Sequence, residues 1–492
     1  MNSDAIHVIG GGFGGLAGAI TLASKGRKVV LHEKQDTLGG KANTRKVGPF
    51  RFDTGPSLLT MVEVFRTLFA EAGKDIEAYI PIVELSPLTH YWFADGTRVH
   101  SDRMELFIPT LTEHLDVTED ELKRYFAYAK RIWDTTHGVF LEKSLHSWKT
   151  FASRETLHSL ARIGSIDALR SMHKANASFF RDPRLVQLFD RYATYNGSDP
   201  YQAPATLNTI AYVEHGLGGY GVTNGIYGII EGLERLAREL GVEVRTGSEV
   251  SAILHDRKNR ITGLVANGEE IAASLIISDV DVSKLYSDLL NDRGAPLARR
   301  YRKLPPSSSA LVFYWGIDRE CKDLGLHNIL FSSDYLKEFE AIHTHRQIPD
   351  DPTIYLNITS KITPTDAPVG GENWFVLVNA PPHDGRSWHE EIAHTRSRIV
   401  ERLSLTLGFD LEQHIAAEEC MTPADIETQT GSYRGSLYGI SSNTTMAAFL
   451  RHPNRSKRYT GLYLAGGSVH PGGGMPLATL SGVIAAHLLL KG

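Results

Sequence analysis

The chain has 492 residues, 42% of them hydrophobic and 22% charged, with a formal net charge of −5. That length exceeds what one hydrophobic core serves and predicts two or more subdomains, the composition excludes a disordered or fibrous chain, and the charge gives no footing for nucleic acid. Two well-separated cysteines, Cys321 and Cys420, exclude a disulfide framework or a zinc site and fit a reducing compartment.

Residues 5–9 (AIHVI) and 28–33 (KVVLHE) read as strands on either side of a small-residue helix that stops at Gly26. The N-terminal apolar stretch is broken by glycines, so it does not read as a secretory leader. No run reaches the roughly 18 apolar residues of a membrane span, and the expected location is the cytoplasm. Residues 91–100 form a hairpin signal around Asp95-Gly96. From about 103 to 195 the pattern turns helical, with residues 118–133 opening on a capping-box pair, Thr118 and Glu121. Residues 225–241 predict an amphipathic helix ended by glycine, followed to about 279 by short strands. Residues 309–318, 353–360 and 373–380 read as strands of a larger sheet, and 461–467 as a last strand before a glycine-rich turn and a final helix. There is no tandem repeat and no low-complexity linker.

The stretch GGGFGG places Gly10, Gly12 and Gly15 in the G-x-G-x-x-G pattern, after a strand and at the start of a helix. Gly10 would make the tight turn, Gly12 would admit a pyrophosphate, and Gly15 would let helix and strand approach. The helix N-terminus, with Phe13 and Gly14, offers N–H donors to phosphate. Glu33 closes the second strand about 20 residues on, where a carboxylate holds ribose hydroxyls and disfavours a 2′-phosphate.

Next come EKQDTLGGKANT, with Gly39, Gly40 and Lys41, and FRFDTGPSLL, with Asp53, Gly55, Pro56 and Ser57. This acid, Gly-Gly and basic-residue sequence resembles the amine-oxidase-like flavoprotein superfamily, and the resemblance implies FAD. It implies that the basic residue lies near the phosphates, although Lys41 stands where arginine is usual and lacks its bidentate geometry. It also implies adenine contact through the backbone at Val250 in GSEVSAIL. The expected cofactor contacts are therefore Gly10, Gly12, Phe13, Gly14, Gly15, Glu33, Lys34, Gly40, Lys41, Gly55, Pro56, Ser57 and Val250. Near the C-terminus they are Gly467, Gly474, Met475 and Pro476, where helix-end donors would stabilise charge on a reduced flavin. Some relatives tether FAD through a cysteine there; this stretch has none, which implies non-covalent FAD.

HPGGGMP (470–476) after LYLAGGS resembles the carotenoid desaturase family, with Met475 where a branched residue is usual. FDTGPSLLT, residues 216–241 and LYGISSN extend the resemblance along the chain. GSLYG and PLATLSGVIAA look closer to the branch acting on 1-hydroxylated acyclic carotenoids than to phytoene desaturases. The implied reaction is 3,4-desaturation, with hydride transfer to flavin N5 and loss of a proton. Phytoene-type desaturation, a flavin amine or porphyrinogen oxidase, and a non-catalytic prenyl- or lipid-binding protein on the same fold are the alternatives. Electron acceptor and oligomeric state are left open.

The expected fold is α/β, α+β overall: a discontinuous Rossmann-type FAD-binding domain (1–85, 221–290, 456–492) and a substrate domain of mixed sheet and helical cap (86–220, 291–455). No metal site is expected. Catalytic candidates are His470, as base or loop support, Asp190 and Arg191, which read first as a helix-surface ion pair, and His215 beside Glu214. Between 154 and 184, Arg154, Arg162, Arg170, Lys174, Arg181 and Arg184 interleave with Leu157, Leu160, Ile163, Ile166, Leu169, Phe179 and Phe180. That pattern reads either as a solvated helix with a core face or as a basic surface for peripheral membrane attachment, from which an apolar carotenoid would enter.

Overall fold

The computed structural model describes residues 5–138, 166–444 and 451–491. Ile6–Ile9 is the middle strand of a five-stranded parallel sheet ordered Leu462–Leu464, Ile276–Ser278, Ile6–Ile9, Val29–His32, Glu243–Arg245. All residues of Ile6–Ile9 and Val29–His32 are buried, as a parallel sheet covered on both faces requires. The order steps outward from Ile6–Ile9 in both directions, so its carboxyl end opens on a topological switch point, where ligands bind in such sheets.

The helix Phe13–Ala23 follows that strand, and all 11 of its residues are buried. It is apolar all round because the helix Met475–Leu490 covers it. A Cβ on Gly482 would stand 2.0 Å from the carbonyl oxygen of Gly14, so the two helices cross nearly backbone on backbone.

The second sheet is mixed and seven-stranded: Ile415–Met421, Ser309–Ile317, Glu372–Ala380, Ile354–Ile358, His327–Leu330, Thr89–Trp92, Arg98–Ser101. Only the pairing of His327–Leu330 with Thr89–Trp92 is parallel. One face packs Trp315 and Trp374 against Ile399 and Leu403 of the helix His389–Leu407. The other turns toward the helices Met104–His114, Glu119–Thr136, Pro183–Asp190 and Thr209–Gly216. Glu119–Thr136 begins with the expected capping box: the Thr118 N–H donates to Glu121 Oε2 at 2.9 Å, and the Glu121 N–H donates to Thr118 Oγ1 at 3.3 Å.

Two strands of this sheet, His327–Leu330 and Ile415–Met421, carry no clear sequence signal. The strand run from 242 to 279 divides. Its first and last members, Glu243–Arg245 and Ile276–Ser278, join the five-stranded sheet. The three between them (Val250–His255, Ile261–Ala266, Glu269–Ala272) form a separate antiparallel sheet.

Arg154, Leu157, Leu160, Arg162 and Ile163 lie outside the described residues. From 166 the basic stretch is two short helices, Met172–Phe179 and Pro183–Asp190, parted where Asp182 caps the second one and Pro183 opens it. Arg170 pairs with Asp167 at 2.6 Å and Arg184 with Asp182 at 2.7 Å, so these two cations already have counter-charges. Among the described residues, no helix is long and apolar enough to cross a membrane.

Candidate active site

The switch point opens into a cavity of about 1440 Å³. At one end its wall carries Glu33, Lys34 and Val250. It passes Gly10, Gly12, Phe13 and Gly14, then Gly40, Lys41, Gly55, Pro56 and Ser57, and reaches Gly467, Gly474, Met475 and Pro476. The cavity then widens into a chamber lined by Trp133, Leu207, Ile210, Ile329, Phe375 and Leu377, between the helices and the seven-stranded sheet.

Gly10 turns the chain at φ +97°, which a side chain resists. A Cβ on Gly15 would stand 1.9 Å from the Gly10 carbonyl oxygen, so Gly15 serves the helix–strand approach and is not on the cavity wall. At Gly12 the nearest atom to an added Cβ is Asp279 Oδ2, at 2.6 Å. Asp279 follows the strand Ile276–Ser278, and its Oδ2 accepts the Gly15 N–H at 2.9 Å. Burial, with the Glu33 carboxylate adding to it, pushes the Asp279 carboxyl up to about 7, against the pull of the Gly15 N–H and Lys41. The glycine pattern thus makes room for an acid that the motif itself does not contain.

Glu33 is buried and accepts the N–H groups of Gly11 at 2.8 Å and Gln35 at 2.9 Å. Lys34 is exposed, with its Nζ 3.4 Å from the carbonyl of Thr428. Lys41 donates to the carbonyls of Ser436 at 3.0 Å and Leu437 at 2.7 Å. Burial lowers its ammonium to about 8 against the pull of Asp281 and Asp279. Its charge therefore leans on the 436–437 turn.

The helices that begin at Gly12 and Gly474 both open on this cavity, and neither has a side-chain cap. Gly474 has φ +96°, with open space where a Cβ would point. A carboxylate at one end, first-turn N–H groups in the middle and a second uncapped helix start at the far end, all along one groove, fit an extended dinucleotide. The residues present fit FAD.

The catalytic candidates separate. Asp190 and Arg191 do not form a surface ion pair, because both are buried and they turn to different partners. Asp190 receives Asn176 Nδ2 at 2.8 Å and faces His173 Nδ1 at 2.7 Å. Arg191 donates to the Tyr91 hydroxyl at 2.6 Å and to Glu214 Oε1 at 3.2 Å. Tyr192 and Tyr195 lie under its guanidinium, 4.4 and 5.4 Å from ring centre to Cζ. His215 Nδ1 lies 2.7 Å from the Asp102 carbonyl, its Nε2 lies 2.6 Å from the Tyr192 hydroxyl, and burial lowers its pKa. Of the four, Arg191 and His470 line the cavity, while Asp190 and His215 lie behind its wall. The Glu214 carboxylate belongs to the Arg191 cluster, which holds it ionised below its ordinary range despite burial.

Sequence reasoning did not single out a polar patch on the sheet side of the chamber. The Ser57 hydroxyl hydrogen-bonds the Tyr355 hydroxyl, which lies 2.9 Å from His327 Nδ1. Asn357 Nδ2 donates to the Leu326 carbonyl at 3.0 Å and lies 3.1 Å from the same Nδ1. An amide N–H at that distance makes Nδ1 the acceptor and leaves the proton on Nε2. That buried Nε2 has no partner among the described residues. Burial holds the ring neutral, with its pKa lowered to about 4.

A model of the family described as flavin containing amine oxidoreductase matches residues 13–490. The chain is 41% identical over 483 residues to the 1-hydroxycarotenoid 3,4-desaturase of Flavobacterium sp. (strain P99-3), with 98% of each chain covered. It is 36% identical over 495 residues to the 4,4'-diapolycopene oxygenase of Methylomonas sp., again with 98% of each covered. Among solved structures it resembles an oxidoreductase from Methanosarcina mazei (17% identity, TM-score 0.63, 99% and 100% of the two chains). It likewise resembles putrescine oxidase bound to putrescine (15% identity, TM-score 0.63, 100% of both). At these identities the structures speak for the fold alone.

Proposed function

The chain belongs to the flavin containing amine oxidoreductase family, and from that premise we propose that it is an FAD-dependent desaturase introducing a 3,4 double bond into an acyclic 1-hydroxycarotenoid. The observation that carries this reading is one continuous cavity in which a dinucleotide groove opens into an apolar chamber. In this reading Glu33 holds the ribose hydroxyls and Val250 lies at the adenine. The loop Gly10–Gly14, with Gly40, receives the pyrophosphate, and Gly55–Ser57 together with 467–476 seat the ring. Lys34 and Lys41 contribute charge at the groove's edge.

Bound there, FAD supplies the acceptor for the hydride that leaves the substrate carbon. The protein's share is orientation and dryness. Leu207, Ile210, Ile329 and Phe375 hold a polyene against the 467–476 turn and keep water from the reacting carbons. Proton removal needs a group on the wall. The Arg191 guanidinium cannot lose its proton, so His470 is the one sequence candidate that is both on the wall and able to accept a proton.

The patch Ser57–Tyr355–His327 favours an oxygenated substrate over phytoene, because among the described residues the neutral Nε2–H of His327 lacks an acceptor, which a tertiary hydroxyl provides. The substrate reaches the chamber from a membrane surface in this proposal, since a long polyene has almost no concentration in water. In this proposal the attachment segment is residues 154–184, whose described part exposes Leu169.

The test is incubation with FAD and liposomes carrying 1-hydroxylated acyclic carotenoids or phytoene, read by absorption and product mass. Loss of two hydrogens from the hydroxylated compounds is the expected result. Conversion of phytoene alone overturns the substrate, and gain of oxygen overturns the reaction. Liposome flotation tests the membrane step: equal recovery of the wild type and of the combined Arg162→Glu, Arg170→Glu, Lys174→Glu variant removes it.

A further inference from the structure

Two arginines are buried among the described residues, Arg191 and Arg451, and both line the cavity. They differ in one respect. Arg191 has Glu214 at 3.2 Å. Among the described residues Arg451 has no carboxylate partner, and Tyr301 is the only ionisable side chain that acts on its charge. What Arg451 does have is neutral: its Nη1 donates to the carbonyls of Tyr438 at 2.9 Å and Gly467 at 3.1 Å, and its Nη2 lies 3.5 Å from Ser442 Oγ. A Cβ on Gly472 would stand 3.2 Å from its Nε, so the guanidinium lies directly against the glycine turn before the last helix. Burial lowers the guanidinium to about 10, which leaves it charged at neutral pH.

A desolvated cation without a counter-charge is strongly unfavourable. A protein that keeps one on a cavity wall, braced by three neutral acceptors, has a use for a negative charge arriving from outside the polypeptide. The proposed reaction delivers one there. A hydride carries two electrons and one proton, so the neutral ring that accepts it becomes an anion, while the second hydrogen leaves the substrate carbon as a proton. We propose that Arg451 is a positioning residue for the cofactor, its charge and its grip on the 467–472 turn together stabilising the flavin ring in the state that carries this negative charge. The inference rests on reading that turn as the ring's seat. Arg451 lies outside the motifs that carry the family resemblance, and its role sets a thermodynamic property of the bound flavin.

The experiment compares FAD-loaded wild type, Arg451→Met and Arg451→Lys by two readouts, the two-electron midpoint potential of the bound flavin and its affinity for sulfite. Both report stabilisation of negative charge on the ring, and a role confined to bracing the loop moves neither. In Arg451→Met the reduced-to-oxidised ratio at fixed potential falls about tenfold, a midpoint lower by about 30 mV, and sulfite binds about tenfold more weakly. Arg451→Lys restores most of both. Its midpoint also gains a break with pH where the buried ammonium loses its proton, and the wild type lacks that break. This lysine variant carries the test alone where the methionine variant does not fold. A midpoint and sulfite affinity unchanged in Arg451→Met, or an Arg451→Lys midpoint without the break, overturns the role of Arg451. A wild-type protein that takes up no FAD overturns the seat itself, a separate result.

Discussion

At the tip of the strand Ile276–Ser278, the Asp279 carboxylate lies beside the loop to which the proposed function assigns the pyrophosphate, a second anion. Its pKa of about 7 lies above the ordinary 3.8, so the folded protein keeps this proton longer than the unfolded chain. Its penalty is absent below pH 4, grows as pH rises to about 7, and reaches at most about 4 kcal/mol. Thermal melts of the FAD-free protein should therefore show a loss of stability from pH 4 to 7 that Asp279→Asn reduces. FAD affinity should fall over the upper part of the same range in the wild type and change little in the variant. Gly12→Val should cut the flavin-to-protein ratio at least tenfold, because any Cβ there meets Asp279 and a branched one fills the pyrophosphate's space. His327→Leu should lower kcat/KM about 10- to 100-fold for a 1-hydroxylated substrate, as expected for an unmade buried hydrogen bond, and leave a substrate without the hydroxyl nearly unaffected. Gly10, Gly15 and Glu33 were legible at this scale because they sit at fixed spacings within one strand–helix–strand unit, the first two shaping its turn and the third returning to the Gly11 N–H. Asp279 and His327 were not, since their partners Gly15 and Tyr355 come from distant chain, and Arg451 was not, since its partners Tyr438 and Gly467 belong to turns on either side that no motif ties to it.

Among the elements, the crossing of Phe13–Ala23 with Met475–Leu490 decides the shape of the groove, since both helices begin at it. Gly482→Ala places a methyl group 2.0 Å from the Gly14 carbonyl oxygen. It should destabilise the protein by about 2–3 kcal/mol, in the range for overpacking, and loosen FAD binding with it, read by denaturant melts and flavin release. Strong local signals predicted their elements well: the Thr118–Glu121 box, the Asp95-Gly96 hairpin and the nine-residue apolar strand Ser309–Ile317. His327–Leu330 and Ile415–Met421 escaped for a physical reason. The first has only four residues, and the second is a half-exposed edge strand rich in alanine and glutamate, so partners rather than propensity make them strands. The surface ion-pair reading of Asp190 and Arg191 failed because both are buried and take different partners: one closes Pro183–Asp190 and the other opens the turn after it.

For the whole molecule, the proposed domain boundaries matter less than the threading between them. The seven-stranded sheet takes Thr89–Trp92 and Arg98–Ser101 from one stretch and five strands from another more than two hundred residues on. Residues 291–455 expressed alone should therefore leave the edge of His327–Leu330 bare and elute as aggregate from a sizing column, while the full chain does not. The five-stranded sheet likewise needs Leu462–Leu464, and the groove needs the helix that follows it. On the ribosome, at about 5–20 residues per second, the glycine loop emerges roughly half a minute to a minute and a half before the helix that covers it. Flavin capture is thereby a late event in the life of each molecule. A chain that stalls or is clipped before residue 475 should purify colourless, so the flavin-to-protein ratio of the purified protein counts finished copies.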